Sequence, residues 1–468
     1  MEKYEEPRVK ATAGVSERPP AFGRDWTQGS IIRNLLSLAW PMIISQSLNM
    51  LGPTIDMIWV GRLGSASIAG VGVAGIAVGL VMSAMTGLMM GMRAMIARFI
   101  GANDVRGANH VAMQAFVVSA AFSIILAIVG IFLAESILGL FGLEADVIAE
   151  GAAYLRILFV CSVVMCLRLM AEGAMQASGD TQTPMRIAVL FRLFHVALCP
   201  FLIFGWWIFP RLGVSGAALT NVISQSLGLA ISMWVLFAGR SRLRLTLAKF
   251  HLDPDIIWRI VRIGVPACIM GLQMSLGQFV LVGLMSPFGT YPVAAHAVCQ
   301  RVELVLFMPV LGMGMAAGVL AGQNLGAGRP ERAEKSGWLA AGLAQAFMVI
   351  CCLVLLLAAE KIMGIFSTEP GLVEMGGTFL RIAAAGYLAI ASVIVFQYCI
   401  SGAGDTLPAM IFSVMIVWAV QMPLAYLLPK YTDLGVYGVR WAMVAAIFVG
   451  MIVFLVYFRT GRWKRKKV

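Results

Sequence analysis

Few side chains in this sequence can place charge inside an apolar segment, and those few limit the chemistry open to it. Asp56, in Gly52-Pro53-Thr54-Ile55-Asp56-Met57, stands shortly before the end of the first long apolar run, roughly 9 Å inside Arg62 at a helical rise. An ionised carboxylate is costly in hydrocarbon unless it faces a cavity or finds a partner. Such a group can trade its charge for a proton or hold Na⁺ with neighbouring oxygens; a structural, hydrogen-bonding Asp is the plainer alternative. Arg168 and Glu172 stand one helical turn apart, the spacing of an ion pair. Arg192, His195 and Cys199 share one helix face. His195 is therefore a candidate proton relay, or a histidine that only bridges two helices. Thr220 and Asn221 offer uncharged oxygens, although such groups also hold membrane helices together. In the second half, Arg301 and Glu303 lie roughly 15 Å into another apolar run. They are expected to pair with each other or with Gln273, Gln278 and Gln397, as an interhelical network or as a second protonation or ligand site.

The elements that must position these groups are apolar helices. Of 468 residues 60% are hydrophobic and only 12% charged, and mean hydropathy is +0.88, against about a quarter charged in soluble domains. A spanning helix needs roughly 20 apolar residues, and runs of that kind, from 31–60 to 434–458, predict about twelve spans, six per half. An alternating-polarity barrel is excluded. The chain also repeats itself. Ser178-Gly179-Asp180-Thr181 returns as Ala403-Gly404-Asp405-Thr406, an offset of 225 residues that also pairs Pro41 with Pro266, Gly87 with Gly312, Gly101 with Gly326 and Leu155-Arg156 with Leu380-Arg381. The expected architecture is an all-α integral membrane protein of two parallel six-helix repeats with pseudo-two-fold symmetry, the organisation of secondary transporters that bind substrate between halves. Its parts are a flexible tail (1–29), a first lobe (30–239), a linker (240–255), a second lobe (256–458) and a basic tail (459–468). The offset carries Asp56 onto Leu281 and Glu172 onto Gln397, so the halves share a scaffold but not their ionisable groups.

The formal net charge of +12 comes from residues at the membrane edge, so it reports topology and not nucleic-acid binding. By the positive-inside rule the basic segments before the first span, between the halves and after the last one all face the cytoplasm, and so do both termini. The basic tail can also touch anionic lipid. The linker ends in His251-Leu252-Asp253-Pro254, with a helix start expected at Asp253 or Asp255. All 8 cysteines fall within spans without metal-ligand spacing. The 4 histidines are scattered too, so no enzyme chemistry, zinc site or cofactor is expected.

In order along the chain, Pro41 through Asp56 to Val60-Gly61-Arg62-Leu63-Gly64, Phe99-Ile100-Gly101-Ala102-Asn103-Asp104, Gly179-Asp180-Thr181, Gly264-Val265-Pro266, Arg301-Val302-Glu303 and Gly322-Gln323-Asn324-Leu325-Gly326-Ala327-Gly328 resemble the multidrug and toxic compound extrusion (MATE) transporters over nearly all of residues 31–458. The resemblance implies twelve helices in two lobes that rock between outward-open and inward-open states. It implies export of cationic, amphipathic compounds in exchange for H⁺ or Na⁺, by a monomer in a bacterial inner membrane. The family's first-helix acid falls on Asp56, its bending proline on Pro41 (with Pro53 as a second hinge) and its sixth-helix threonine on Thr220. Its fifth-helix Asn-x-x-x-Asp reads here as His195-Val196-Ala197-Leu198-Cys199, and its fourth-helix Asn as Glu172. The loss of both ligands favours protons over Na⁺; a cation site rebuilt from Asp56 and Glu172, with Na⁺ at Asp56, is the alternative. The seventh-helix Glu of the NorM branch is absent, which resembles the DinF side of the family. A flippase for a lipid-linked precursor, from the same multidrug/oligosaccharidyl-lipid/polysaccharide flippase superfamily, is the rival reading. It would need several of Arg156, Arg168, Arg192, Arg301, Arg381 and Arg440 to converge on one cavity.

Overall fold

The computed structural model describes residues 24–468 apart from 64, 140–144, 208, 247–249 and 467. The side chain of Pro53 lies outside the described residues, as does most of the expected N-terminal tail. The chain is helical throughout: α1 (Ile31–Val60), α2 (Ser65–Gly101), α3 (Val105–Gly139), α4 (Ala145–Val160), α5 (Ser162–Ser178), α6 (Gln182–Phe204), α7 (Gly213–Phe237), α8 (Pro254–Met285), α9 (Thr290–Gly326), α10 (Pro330–Gly364), α11 (Pro370–Gly402), α12 (Thr406–Met415), α13 (Met422–Tyr431) and α14 (Tyr437–Thr460). Among the described residues nine helices are long and apolar enough to cross a membrane; a tenth span is α4 with α5, bent by 52°. The 30 residues of α1 and 37 of α2 complete twelve rods. Two breaks were not visible in the sequence: the bend at Cys161, and a π-helical turn at Ile416–Gln421 that joins α12 to α13 within one span.

The duplication reappears as paired contacts. Gly179 and Gly404, at φ +96° and +87°, end α5 and α11 with the same left-handed turn, a conformation glycine adopts at no steric cost. Their amides donate to Gln176 O and Ser401 O, again 225 residues apart. At the opposite end Arg156 donates to Glu135 and Arg381 to Glu360, each at 2.9 Å. Where the lobes meet, the symmetry is reciprocal. A Cβ at Gly101 would overlap the Gln323 carbonyl, and one at Gly326 would overlap the Arg98 carbonyl; adding the offset to 98 gives 323. Gly87 meets Cys268 while Gly312 meets Ile43, the same relation one layer deeper. Arg98 Nη2 donates to Ala403 O (3.1 Å) and Gln323 Nε2 to Ala177 O (2.9 Å), so each lobe grips the other's repeated turn. This end, which also carries the linker, is closed by backbone-to-backbone contact.

Two helices change sides. Leu35, Leu38, Ala39 and Met42 of α1 belong to the apolar core built by α9, α10 and α11. Arg329 Nη1 and Arg332 Nη2 donate to Thr27 O and Gly29 O just before α1, both at 2.7 Å. The far half of α1 then packs on α6 and α7 in the first lobe. Reciprocally, Ile260 and Ile263 of α8 sit in the first-lobe core with Met92 and Met170, while Met270, Leu281 and Met285 sit in the second. Pro41 and Pro266 fall at these two crossings. A proline there removes one ladder hydrogen bond and lowers the resistance to bending. At the linker, Asp253 caps α8 as expected, accepting from the Asp255 and Ile256 amides.

Candidate functional site

Asp56 ends up fully buried near the far end of α1. Three side chains face its carboxylate. His195 Nε2 lies 3.1 Å from Oδ1, without the alignment of a directed hydrogen bond. The Cys199 thiol donates to Oδ1 at 3.8 Å, and Asn221 Nδ2 to Oδ2 at 3.4 Å. His195 and Cys199 come from successive turns of α6, the shared face expected from their spacing. Asn221 and not Thr220 makes the contact from α7, because the Thr220 hydroxyl donates to Gly216 O one turn back (2.7 Å). The sequence reading found no metal-ligand spacing, yet the Asp56, His195 and Cys199 donor atoms lie within 4.8 Å of one another. The set does not fit Na⁺. A hard cation takes several oxygens, whereas the clustered side chains here offer one carboxylate, one ring nitrogen and one sulfur.

From this buried carboxylate a polar path leads to open space. His195 Nδ1 is 3.3 Å from Arg192 Nη1, and Arg192 Nη2 donates to Asn49 O at 3.4 Å. The guanidinium lies flat against α1 at Gly52, where any Cβ would overlap it. A second path leaves through Asn221, whose Oδ1 accepts from Gln225 (2.5 Å). Gln225 Oε1 in turn accepts from Arg168 Nε (3.2 Å). Arg168 Nη1 donates to Glu172 Oε2 at 3.0 Å, as the spacing predicted. Glu172 Oε1 accepts from Gln176 Nε2 (3.0 Å), and Gln176 Oε1 from Arg93 Nη2 (3.0 Å). Asp56 and Glu172 thus share a network without touching.

Both paths reach a cavity of about 490 Å³ between the lobes. Its wall carries Arg93, Arg168 and Arg192 from the first lobe, and Gln397, Tyr398 and Ser401 from the second. Nine of the described lining residues are methionines, among them Met50, Met89, Met270 and Met315. Flexible, polarisable thioethers of this kind adapt to ligands of varied shape. None of the described lining residues is Asp or Glu, so the wall offers no carboxylate to the cationic compounds the resemblance implied.

In the second lobe one expected pairing is corrected, and Glu303 enters a different interhelical contact. Arg301 and Glu303 do not pair: Arg301 is exposed, and Glu303 accepts from the buried Arg440 of α14 at 2.9 Å. Residues two apart point to different sides of a helix, and Arg440 lies 137 residues away in sequence. Gln278 pairs with Gln300 (2.6 Å), Gln397 donates to Met270 Sδ (3.3 Å), and Gln273 Oε1 is buried without a partner. Arg93, Asn49 and Gln225 join the site without having been singled out by their spacing. Arg93 was findable by the depth argument used for Asp56, since it stands eight residues inside the end of α2.

A model of the MatE family matches residues 41–201 and 266–427, one match in each half. The chain is similar to the probable multidrug resistance protein NorM of Thermotoga maritima, at 26% identity over 446 residues and 94% of each chain. Its fold is that of a MATE protein solved in the bent conformation (TM-score 0.87, 24% identity, 93% of this chain and 96% of that one). It is equally that of a MOP superfamily transporter from Pyrococcus furiosus, described as having a binding pocket of reverse polarity that suggests a different function (TM-score 0.87, 24% identity, 94% and 98%).

Proposed function

The chain belongs to the MatE family of membrane transporters, and from that premise we propose that it exports amphipathic, drug-like compounds by antiport with H⁺, with Asp56 as the coupling group. One observation carries this reading: Asp56 is fully buried on a helix whose first half is anchored in the opposite lobe, and His195 and Arg192 connect it to the cavity. A proton delivered through His195 neutralises the Asp56 carboxylate and weakens its hold on Asn221 and Cys199. The far half of α1 is then free to swing about Pro41, with Pro53 as a second hinge. Because the first half of α1 is packed in the second lobe, that swing changes how the lobes sit and exchanges cargo for protons. Loss of the proton on the other side resets α1. A gradient drives the cycle only because the two states differ in affinity for proton and cargo. By the positive-inside rule the linker end faces the cytoplasm, so the closed gate is the cytoplasmic one. Glu172 holds the three-arginine wall together; Thr220 braces α7.

The test is flux of a fluorescent amphiphile in proteoliposomes under an imposed proton gradient, then a sodium gradient, for wild type and Asp56→Asn. Proton-driven flux lost in the variant is the expected result. Flux under sodium alone, or coupled flux retained in Asp56→Asn, overturns the scheme. A second reading, a flippase for a lipid-linked precursor, is favoured by Arg93, Arg168 and Arg192 facing one cavity. Against it, Arg156, Arg381 and Arg440 are each paired with a carboxylate elsewhere.

A further inference from the structure

We infer that the transported molecule carries an anionic group, carboxylate or phosphate, which Arg192 and Arg93 bind while its apolar body lies on the methionines; this rests on the transport reading above and names its substrate class. Three guanidiniums line the cavity, and two carboxylates stand behind them, Glu172 and Asp56, the latter fully buried. The arginines are not equivalent. Arg168 has its own carboxylate at 3.0 Å. Arg93 and Arg192 have none within ion-pair distance among the described residues. Arg93 holds the amide of Gln176, Arg192 holds a backbone carbonyl and a histidine, and Arg192 Nε is buried without a hydrogen-bond partner.

Charge out of water is retained where it pairs or serves a ligand. With both carboxylates ionised the wall carries one uncompensated positive charge, and a monoanion balances it. A cationic ligand would meet guanidiniums first and find the acids screened behind them. Arginine also suits the task geometrically, because its planar fork takes both oxygens of a carboxylate or phosphate.

The same arrangement explains how an anion can be exchanged for a proton. Proton uptake at Asp56 alone would strengthen anion binding by removing a negative charge, so release must come from movement. Arg192 is seated on Gly52 and Asn49 of α1, four and seven residues before Asp56. When α1 swings, the seat goes with it, and the anion site is dismantled in the state that carries the proton.

The test is binding to purified protein in nanodiscs by three amphiphilic probes: 11-(dansylamino)undecanoate, its trimethylammonium counterpart and farnesyl diphosphate. The expected result is at least tenfold tighter binding of the carboxylate than of the ammonium probe in wild type. That preference should vanish in Arg192→Gln and in Arg93→Gln and return in Arg192→Lys. Equal binding, or tighter binding of the ammonium probe, overturns the inference, as does a preference unchanged in both glutamine variants. Farnesyl diphosphate bound more tightly than the carboxylate assigns the anion to a lipid-linked source; the reverse assigns it to a free amphiphile. Proton-driven flux is scored separately in liposomes: its absence with the anion preference intact counts against coupling at Asp56 and leaves the cargo's charge standing.

Discussion

The reciprocal glycine contacts at the closed end allow a quantitative test of how the lobes are held. Gly326 ends α9 against the Arg98 carbonyl, and Gly101 ends α2 against the Gln323 carbonyl. Carbon and carbonyl oxygen approach no closer than about 3.3 Å, so a methyl at either site forces α2 and α9 apart by on the order of 1 Å. Neither neighbour can yield alone, since both are helix backbone. Overpacking of this kind costs about 1–3 kcal/mol. The same displacement stretches the Arg98–Ala403 and Gln323–Ala177 hydrogen bonds, each contributing about 1 kcal/mol or somewhat more for the charged donor. Together the closed state should lose about 2–4 kcal/mol in Gly326→Ala, enough to invert an equilibrium between states a few kcal/mol apart. Hydrogen exchange by mass spectrometry reads this directly: peptides spanning residues 98–104 and 323–329 should exchange faster in the variant. The symmetry adds a second condition, because Gly101→Ala must open the same gate to a similar degree. Unchanged exchange in a folded Gly326→Ala protein would refute the gate, and an effect from only one of the two glycines would refute its two-fold character.

Three further outcomes are expected. Gly52→Ala should lift the Arg192 guanidinium off α1, lowering thermal stability by the equivalent of about 1–3 kcal/mol and weakening ligand binding in a fluorescence titration; unchanged affinity would show that the seat is immaterial. Glu172→Gln should cost about 3–5 kcal/mol by leaving Arg168 buried and unpaired, seen as a lower midpoint on thermal melting, whereas adding Arg168→Met should restore most of it. At the linker, the Ile256 amide foremost, with His110 and the Asp255 amide, holds the Asp253 carboxyl below its ordinary range. A depressed value means that the cap stabilises fully above the ordinary Asp value of about 3.9 and is lost as pH falls through the lower folded value. Exchange at the Asp255 and Ile256 amides, corrected for its intrinsic pH dependence, should therefore rise only in that acid window, and a rise near neutrality would assign the cap to another group.

Much of this fold is legible from a single arithmetic offset. It locates the repeated turns at Gly179 and Gly404, the repeated Arg156 and Arg381 and the two crossing prolines, because duplication copies backbone and close contacts together. Spacing along one helix was also reliable, giving the Arg168–Glu172 pair and the shared face of His195 and Cys199. Pairings across helices were not. Of the alternatives open for Arg301 and Glu303, mutual pairing fails because nearness in sequence at two residues is not nearness on a helix, and Arg440 belongs to a helix no local pattern connects to Glu303. Depth counting found Asp56 but not its partner Asn221, since the choice between Thr220 and Asn221 depends on the rotation of α7 about its axis. The π-helical turn at Ile416–Gln421 was equally hidden. Subtracting 225 lands it on 191–196, the α-helical segment that carries Arg192 and His195, so the two lobes differ in helix geometry at this address.

The crossing of α1 from one core to the other makes it a lever. Its short arm, from Leu35 to Ala39, is clamped in the second lobe; its fulcrum is Pro41; its long arm reaches 15 residues to Asp56, about 22 Å at the helical rise. A tilt of only about 10° at the fulcrum sweeps the carboxylate through about 4 Å, more than the length of any contact that holds it. In the proposed scheme a single proton at Asp56 acts close to the far end of α1, where a small tilt produces a large displacement. The matching helix α8 has the same clamp and the same fulcrum at Pro266, but Leu281 at its tip, sealed in apolar core. The molecule has two levers of one design and a handle on only one of them.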